Sequence, residues 1–121
     1  MFVSRFNKEV LIGVNMRFEQ LNDGVWENTY LLVDENTMEA ALVDPVYDYM
    51  DSYMEILEQQ KLTLRYAIAS HTHADHITAC FNLRDITGCE YVMWHETACL
   101  GVSKYVIDQE KIMLGAYPIT F

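Results

Sequence analysis

The sequence predicts an α/β fold, in which strands alternate with helices along one compact domain. Apolar runs rich in β-forming residues occupy positions 26–35 and 39–46, and an amphipathic stretch follows at 48–60. The chain has 121 residues, 51% of them hydrophobic, so it can bury the core of a single domain. In folds of this class, ligand sites gather where strands end.

The first half of the chain contains two predicted strands and a helix. The strands "WENTYLLVDE" and "EAALVDPV" are joined by a short turn, "ENTM", and Pro45 ends the second strand. A helix over 48–60 is predicted to begin at an Asp48 cap and to cover the sheet. Its predicted apolar face consists of Tyr49, Tyr53, Ile56 and Leu57.

A third strand is predicted at 64–70, followed by a second helix at about 76–87. The second helix is apolar on most sides, which predicts that it is well buried, and Gly88 ends it. The two helices are expected on one face of a mixed sheet.

The last third of the chain has a weaker pattern. We predict a strand at 90–95, a short helical turn at 96–102, and a pair of strands within 104–121 that turns at 108–110.

The charge of the chain argues against partners that are themselves anionic. Eight Lys and Arg residues oppose eighteen Asp and Glu residues, which gives a formal charge of −10. Nucleic acid and anionic lipid are therefore not expected partners. The acidic residues are scattered, which is typical of a solvated surface.

The cysteines and the N-terminal segment predict a cytoplasmic protein. Cys80, Cys89 and Cys99 are odd in number and lack Cys-x-x-Cys spacing, so we expect reduced thiols that serve as small buried hydrophobes. The apolar run 10–14 is too short for a signal peptide, and no segment is long enough to span a membrane. A cleaved organelle presequence is the weaker alternative, because Glu9 interrupts the basic stretch and only Ser4 supplies a hydroxyl.

The stretch "ASHTHADHITA" contains three of the four histidines of the chain. His71 and His73 are two residues apart at an extended strand end, so both imidazoles project to one side. Asp75 and His76 follow where the chain turns into the helix. Imidazole and carboxylate suit zinc, iron or manganese, and the absence of cysteine from the stretch argues against a purely structural zinc site.

The histidines of this stretch admit two interpretations. Surface or capping residues are the alternative to a metal site, but three converging imidazoles repel one another when protonated and gain little when neutral. Metal binding is the favoured interpretation. His95, a single histidine at a strand end, is instead predicted to be structural or solvated.

These residues carry a family resemblance. "HTHADH", placed between a strand and a helix, resembles the His-x-His-x-Asp-His signature of the metallo-β-lactamase superfamily. Together with "NTYLLVD", "AALVDPV" and "YVIDQEKIMLGAY", it resembles the persulfide dioxygenase (sulfur dioxygenase) branch, followed by the glyoxalase II thioester hydrolases.

The resemblance implies a fold and a domain division. Members of the superfamily form an αββα sandwich of two similar halves, and this chain resembles the first half. Residues 1–15 are expected to be an N-terminal extension, and 16–121 a partial metallo-β-lactamase-like domain without the C-terminal half.

The dioxygenase branch implies mononuclear Fe(II) held by two histidines and one carboxylate, with glutathione persulfide oxidised to sulfite. His71 is the triad member present, and His73, Asp75 and His76 are further metal ligands or residues that orient His71 and water. Asp75 is the predicted catalytic residue. Because the other two triad members are expected beyond this half, the chain alone is expected to be inactive.

Two alternatives remain open. As a glyoxalase II-like hydrolase of a glutathione thioester, the chain would use a two-metal site, with zinc as the alternative metal. His71 and His73 would hold one ion, and Asp75 and His76 the second. As a non-catalytic half-domain, it would form a homodimer or pair with a missing C-terminal half, because its apolar helix and sheet edge otherwise lack cover.

Overall fold

A computed structural model describes residues 16–23, 28–70, 79–94, 102, 104–107 and 109–121. Its strands are β1 (Met16–Asp23), β2 (Asn28–Asp34), β3 (Glu39–Val43), β4 (Thr63–Ala69), β5 (Glu90–Trp94), β6 (Lys104–Val106), β7 (Lys111–Leu114) and β8 (Tyr117–Thr120). Its helices are α1 (Met50–Gln59), preceded by a 3-10 turn at Tyr47–Tyr49, and α2 (Cys80–Thr87).

The strands form a mixed sheet and a hairpin. In the described part of the chain the sheet has six strands in the order β1-β2-β3-β4-β5-β6, and β7 pairs with β8. β1, β2 and β3 run antiparallel, whereas β3, β4, β5 and β6 run parallel. The carboxyl ends of β3 and β4 therefore lie side by side, with Val43 opposite Ile68.

The sheet has a hydrophobic cluster on each face. Because successive side chains of a strand point to opposite faces, Leu31 packs in the cluster with both helices and Leu32 in the cluster with the hairpin. In the first cluster, Tyr53 of α1 and Leu83 of α2 pack against the sheet. In the second cluster, Leu114 of the hairpin packs against the opposite face. The helices thus lie on one face of a mixed sheet, as predicted.

The strand predictions are confirmed up to residue 94 and are wrong beyond it in one respect. The Glu110 N–H does donate to the Ile107 carbonyl at 3.1 Å, and Asp108 lies outside the described residues, but β6 and β7 do not pair. β6 joins the sheet beside β5, because Val106 is fully buried there. The hairpin turns instead at Gly115, whose φ of +57° suits a tight two-residue turn.

The first helix begins later than predicted. Asp48 lies in the 3-10 turn, and α1 begins at Met50 with Tyr49 at its N-cap position and no side-chain capping hydrogen bond. Tyr53 and Leu57 are buried, but Tyr49 is 47% exposed. The reason is that the 3-10 turn ends before α1 and rotates Tyr49 out of the apolar face.

The second helix is less buried than its composition predicted. It begins at Cys80, after Ala79, and the predicted start at 76 lies outside the described residues. Only the side facing the sheet is covered: Cys80 and Leu83 are buried, whereas Phe81 and Ile86 are 47% and 62% exposed. Gly88 ends the helix in the left-handed conformation, as predicted.

Two of the predicted buried cysteines are confirmed. Cys80 and Cys89 are buried thiols, while Cys99 and the predicted helical turn at 96–102 lie, except for Val102, outside the described residues. Burial raises the pKa of Cys89, so this thiol is not a poised nucleophile. Within the described segments, the helices are too short and too polar to cross a bilayer.

Candidate metal centre

The carboxyl end of β3 is joined to the carboxyl end of β4 by one aspartate. Asp44 is 1% exposed, and its Oδ1 accepts a hydrogen bond from the Ser70 backbone N–H at 2.7 Å. The Ser70 hydroxyl donates to Oδ2 of the same carboxylate. Because both bonds involve a charged acceptor, they are stronger than neutral ones and fix the residue at which β4 ends.

The backbone of Asp44 is itself held in an uncommon conformation. Its φ is +52°, in the left-handed region that aspartate tolerates better than most residues. The Asp44 N–H donates to the Ile68 carbonyl at 2.7 Å, and the Asp44 carbonyl accepts from the Thr29 hydroxyl at 2.8 Å. These bonds keep the carboxylate directed at Ser70.

The next residue, Pro45, contacts the other end of the histidine segment. Its carbonyl accepts the Ala79 N–H at 2.9 Å, immediately before α2 begins. Residues 44–46 therefore hold Ser70 and Ala79, which are the last described residues on the two sides of the segment 71–78. We call residues 44–46 the anchor segment.

The metal ligands predicted from the sequence lie outside the described residues. They are His71, His73, Asp75 and His76, and the same is true of His95. Within the described ranges, no group of three or more His, Cys, Asp or Glu side chains is arranged to hold a metal ion. The structure thus describes the supports of the predicted site at 70 and 79, and the ligand set stays a prediction.

The chemistry of that donor set fits a first-row transition metal. Three imidazoles and one carboxylate lie between two backbone positions that the anchor segment fixes. Nitrogen and oxygen donors of this kind bind iron(II) or zinc.

Sequence reasoning missed the residues that form this support. The pattern "VDPV" predicts the end of a strand, and an aspartate before proline after a buried strand is also a signal for a turn that binds a neighbouring backbone. Thr29 and Tyr53 were assigned only to a strand and to the apolar face of a helix. No sequence pattern reveals that their hydroxyls meet, since they lie on separate elements.

A groove of about 630 Å³ lies elsewhere on the helical side, between the 3-10 turn, α1 and α2. It is lined by Tyr47, Asp48, Met50, Asp51, Met54, Asn82 and Ile86. This lining is acidic and apolar, and it includes neither the anchor segment nor Ser70. We therefore place the candidate site at the strand ends, where the polar contacts converge.

Comparison with known proteins identifies the superfamily of the chain. The family model described as the metallo-beta-lactamase superfamily matches residues 24–114. The chain belongs to this superfamily, which confirms the resemblance stated from the histidine motif and the α/β fold class.

Within the superfamily, the chain is similar to persulfide dioxygenases. It is 41% identical over 92 residues to persulfide dioxygenase ETHE1, mitochondrial, of Homo sapiens, an alignment that covers 75% of this chain and 36% of the human protein. It is 33% identical over 70 residues to a beta-lactamase hydrolase-like protein of Xylella fastidiosa, covering 49% of this chain and 16% of that protein.

Solved structures give the same result. The crystal structure of ETHE1 from Myxococcus xanthus superposes with a TM-score of 0.76 and 34% identity, over 83% of this chain and 44% of that one. A metallo-beta-lactamase from Staphylococcus aureus, at 23% identity, supports the fold alone, with a TM-score of 0.73 over 84% of this chain and 32% of that one. The chain thus spans 36% of the human protein and less than half of each of these solved structures, and represents part of their fold.

Proposed function

We propose that this chain carries the N-terminal metal-binding part of an iron-dependent dioxygenase that oxidises a low-molecular-weight thiol persulfide, such as glutathione persulfide, to sulfite. The observation that carries the proposal is the anchored strand end before "HTHADH", in a chain 41% identical to a persulfide dioxygenase. The chain spans 36% of that relative, so the proposed activity is that of the active site once its remaining residues are supplied.

The proposed roles of the residues follow from the resemblance and from the anchor geometry. His71, one residue after the Ser70 that Asp44 holds, is the proposed iron ligand. His73, Asp75 and His76 orient His71 and bound water. Bound iron(II) would supply one-electron chemistry and open coordination positions for the persulfide and O₂.

The complete site needs more than this donor set. Two histidines hold a metal weakly, and a facial triad requires a further histidine and a carboxylate. We propose that these come from a longer form of the protein or from a partner chain, which includes a second copy of this one. Residues 16–121 then form the partial catalytic domain, and 1–15 an extension to it.

A thioester hydrolase of the glyoxalase II type is the second candidate. It is favoured by the 33% identity to a beta-lactamase hydrolase-like protein, and the four clustered donors also suit a two-metal site. In that case zinc is the expected metal, and the substrate is a glutathione thioester rather than a persulfide.

The two functions are distinguished by the substrate that is consumed. The assay uses the iron-loaded chain and a chimera in which the C-terminal part of the human persulfide dioxygenase follows Phe121. Oxygen uptake with glutathione persulfide, abolished by His71→Ala and retained by His95→Ala, is the expected result for the chimera. Hydrolysis of S-lactoylglutathione without oxygen uptake would favour the hydrolase. If the chimera catalyses neither reaction, both proposals are refuted.

A further inference from the structure

Two buried hydroxyls lie behind the anchor segment. Tyr53, in α1, and Thr29, in β2, are 2% and 0% exposed. The Tyr53 hydroxyl accepts the Val46 N–H at 3.0 Å, and the hydroxyls of Tyr53 and Thr29 are 3.2 Å apart. The Thr29 hydroxyl also reaches the Asp44 carbonyl, at 2.8 Å.

The direction of these hydrogen bonds can be assigned from donor counts. A threonine hydroxyl has one proton, and the Asp44 carbonyl can only accept, so Thr29 donates that proton to Asp44. The remaining contact must then have Tyr53 as donor and Thr29 as acceptor. Burial raises the pKa of the Tyr53 phenol, which keeps this donor protonated.

The resulting chain runs from the Val46 N–H through Tyr53 and Thr29 to the Asp44 carbonyl. It therefore closes a ring around the anchor segment, from its last residue back to its first. Replacing either hydroxyl opens the ring at a buried position, where water does not readily take its place. The left-handed conformation of Asp44 would then lose a support on its carbonyl side.

We infer that Tyr53 and Thr29 are positioning residues for the metal-binding segment: they hold residues 44–46, which in turn hold Ser70 and Ala79 at its two ends. The inference rests on one part of the proposed function, metal binding by residues 71–78, and not on the reaction. Neither side chain is proposed to touch the metal or the substrate.

The test compares two tyrosine hydroxyls of the same chain. Tyr53→Phe removes the hydroxyl that supports the anchor segment. Tyr66→Phe removes one of similar burial, 7% exposed, which donates to the Met113 carbonyl at 2.7 Å on the opposite face of the sheet. Each variant removes one tyrosine hydroxyl, which makes two hydrogen bonds at Tyr53 and one at Tyr66, so a general loss of stability should appear in both.

The first readout is hydrogen exchange of the Ser70 and Ala79 amides in the metal-free chain, relative to the amide of Val33 in the centre of the sheet. Tyr53→Phe is expected to accelerate exchange at both amides by about tenfold, because the acceptors on Asp44 and Pro45 are less well fixed. Tyr66→Phe is expected to leave both rates, relative to Val33, within about twofold of the unsubstituted chain.

The second readout is the dissociation constant for zinc ions in equilibrium dialysis. Residues that orient metal ligands indirectly affect affinity by roughly 10- to 100-fold, so Tyr53→Phe is expected to weaken binding by about tenfold. Thr29→Val should reproduce this effect and Thr29→Ser should largely restore binding, because serine keeps the hydroxyl. The Thr29 variants also provide the test if Tyr53→Phe does not fold.

The outcomes separate this inference from the proposed function. Unchanged exchange at Ser70 and Ala79 together with unchanged zinc affinity in Tyr53→Phe would overturn the inference and leave the proposed function intact. If the unsubstituted chain binds no zinc or iron, the proposed metal site fails, while faster exchange in Tyr53→Phe still supports the anchoring role. Equal changes of exchange rate and zinc affinity in Tyr53→Phe and Tyr66→Phe would also overturn the inference, because they would indicate general destabilisation.

Discussion

Asp44 and Ser70 join the carboxyl ends of two neighbouring parallel strands through one carboxylate, whose Oδ1 lies 2.7 Å from the Ser70 backbone nitrogen. The second oxygen of this carboxylate accepts the Ser70 hydroxyl proton. The contact fixes the residue immediately before the histidine segment. A support of this kind matters for a metal site, because the ligands that follow depend on where the strand ends.

Asp44→Ala is expected to lower the free energy of unfolding by about 2 to 3 kcal/mol, since it removes two hydrogen bonds to a buried carboxylate. Ser70→Ala is the matched control. It deletes only the hydroxyl bond, so its expected loss is about 1.5 kcal/mol. Urea unfolding measures both values, and an equal loss in the two variants would show that the bond to the Ser70 backbone contributes nothing.

His71→Ala and His73→Ala are each expected to remove most of the affinity of this chain alone for iron(II) or zinc, because a metal bound without the complete triad is predicted to be shared by both imidazoles. His95→Ala removes a histidine predicted to be structural and should retain affinity. Equilibrium dialysis with each metal measures the three variants against the unsubstituted chain. Equal retention by His71→Ala and the unsubstituted chain would contradict the ligand assignment.

The lowered pKa of Asp34 predicts how the free energy of unfolding depends on pH. Burial opposes its ionisation, but the backbone N–H groups of Ala116, Asn36 and Thr37 outweigh burial and lower the pKa of Asp34 below its ordinary 3.8. A carboxyl group whose pKa is lower in the folded state stabilises the fold at pH values above its unfolded-state pKa. This stabilisation is lost as the pH falls through the folded-state pKa. Stability should therefore decline below about pH 4.

Asp34→Asn provides the control for this prediction, because an amide does not titrate. Urea midpoints measured between about pH 6 and pH 3 should fall less steeply for Asp34→Asn than for the unsubstituted chain. The variant should also be less stable at neutral pH, since its amide nitrogen cannot accept the hydrogen bonds that the carboxylate accepts. Identical pH slopes would assign the acid sensitivity to other carboxylates.

Alanine substitutions at Gly115 and Gly88 distinguish a steric clash from backbone strain. Both have positive φ, but a Cβ on Gly115 would overlap the Asp34 carboxylate and lie 2.8 Å from Thr37 Oγ1, whereas a Cβ on Gly88 meets nothing within 4 Å. Gly88→Ala should cost only the left-handed strain, about 1 to 2 kcal/mol. Gly115→Ala should cost about 3 kcal/mol or more, since overlap adds to strain. Equal losses in thermal unfolding would contradict the close approach.

By itself, the sequence determined the elements whose patterns are strong and local. The apolar runs around Leu31 and Leu42 predicted β2 and β3, and Gly88 marked the end of α2, because periodicity and glycine act over a few residues. The histidine motif also identified the superfamily without any coordinates.

Only the tertiary structure decided what depends on residues distant in the chain. It placed β6 beside β5 instead of β7, since pairing follows burial across the sheet and not adjacency in sequence. It left Ile86 exposed on a helix whose composition predicted burial, because only one side of α2 faces the sheet. It also brought Thr29 and Tyr53 behind Asp44, a hydrogen-bonded contact between three separate parts of the chain that no local pattern encodes.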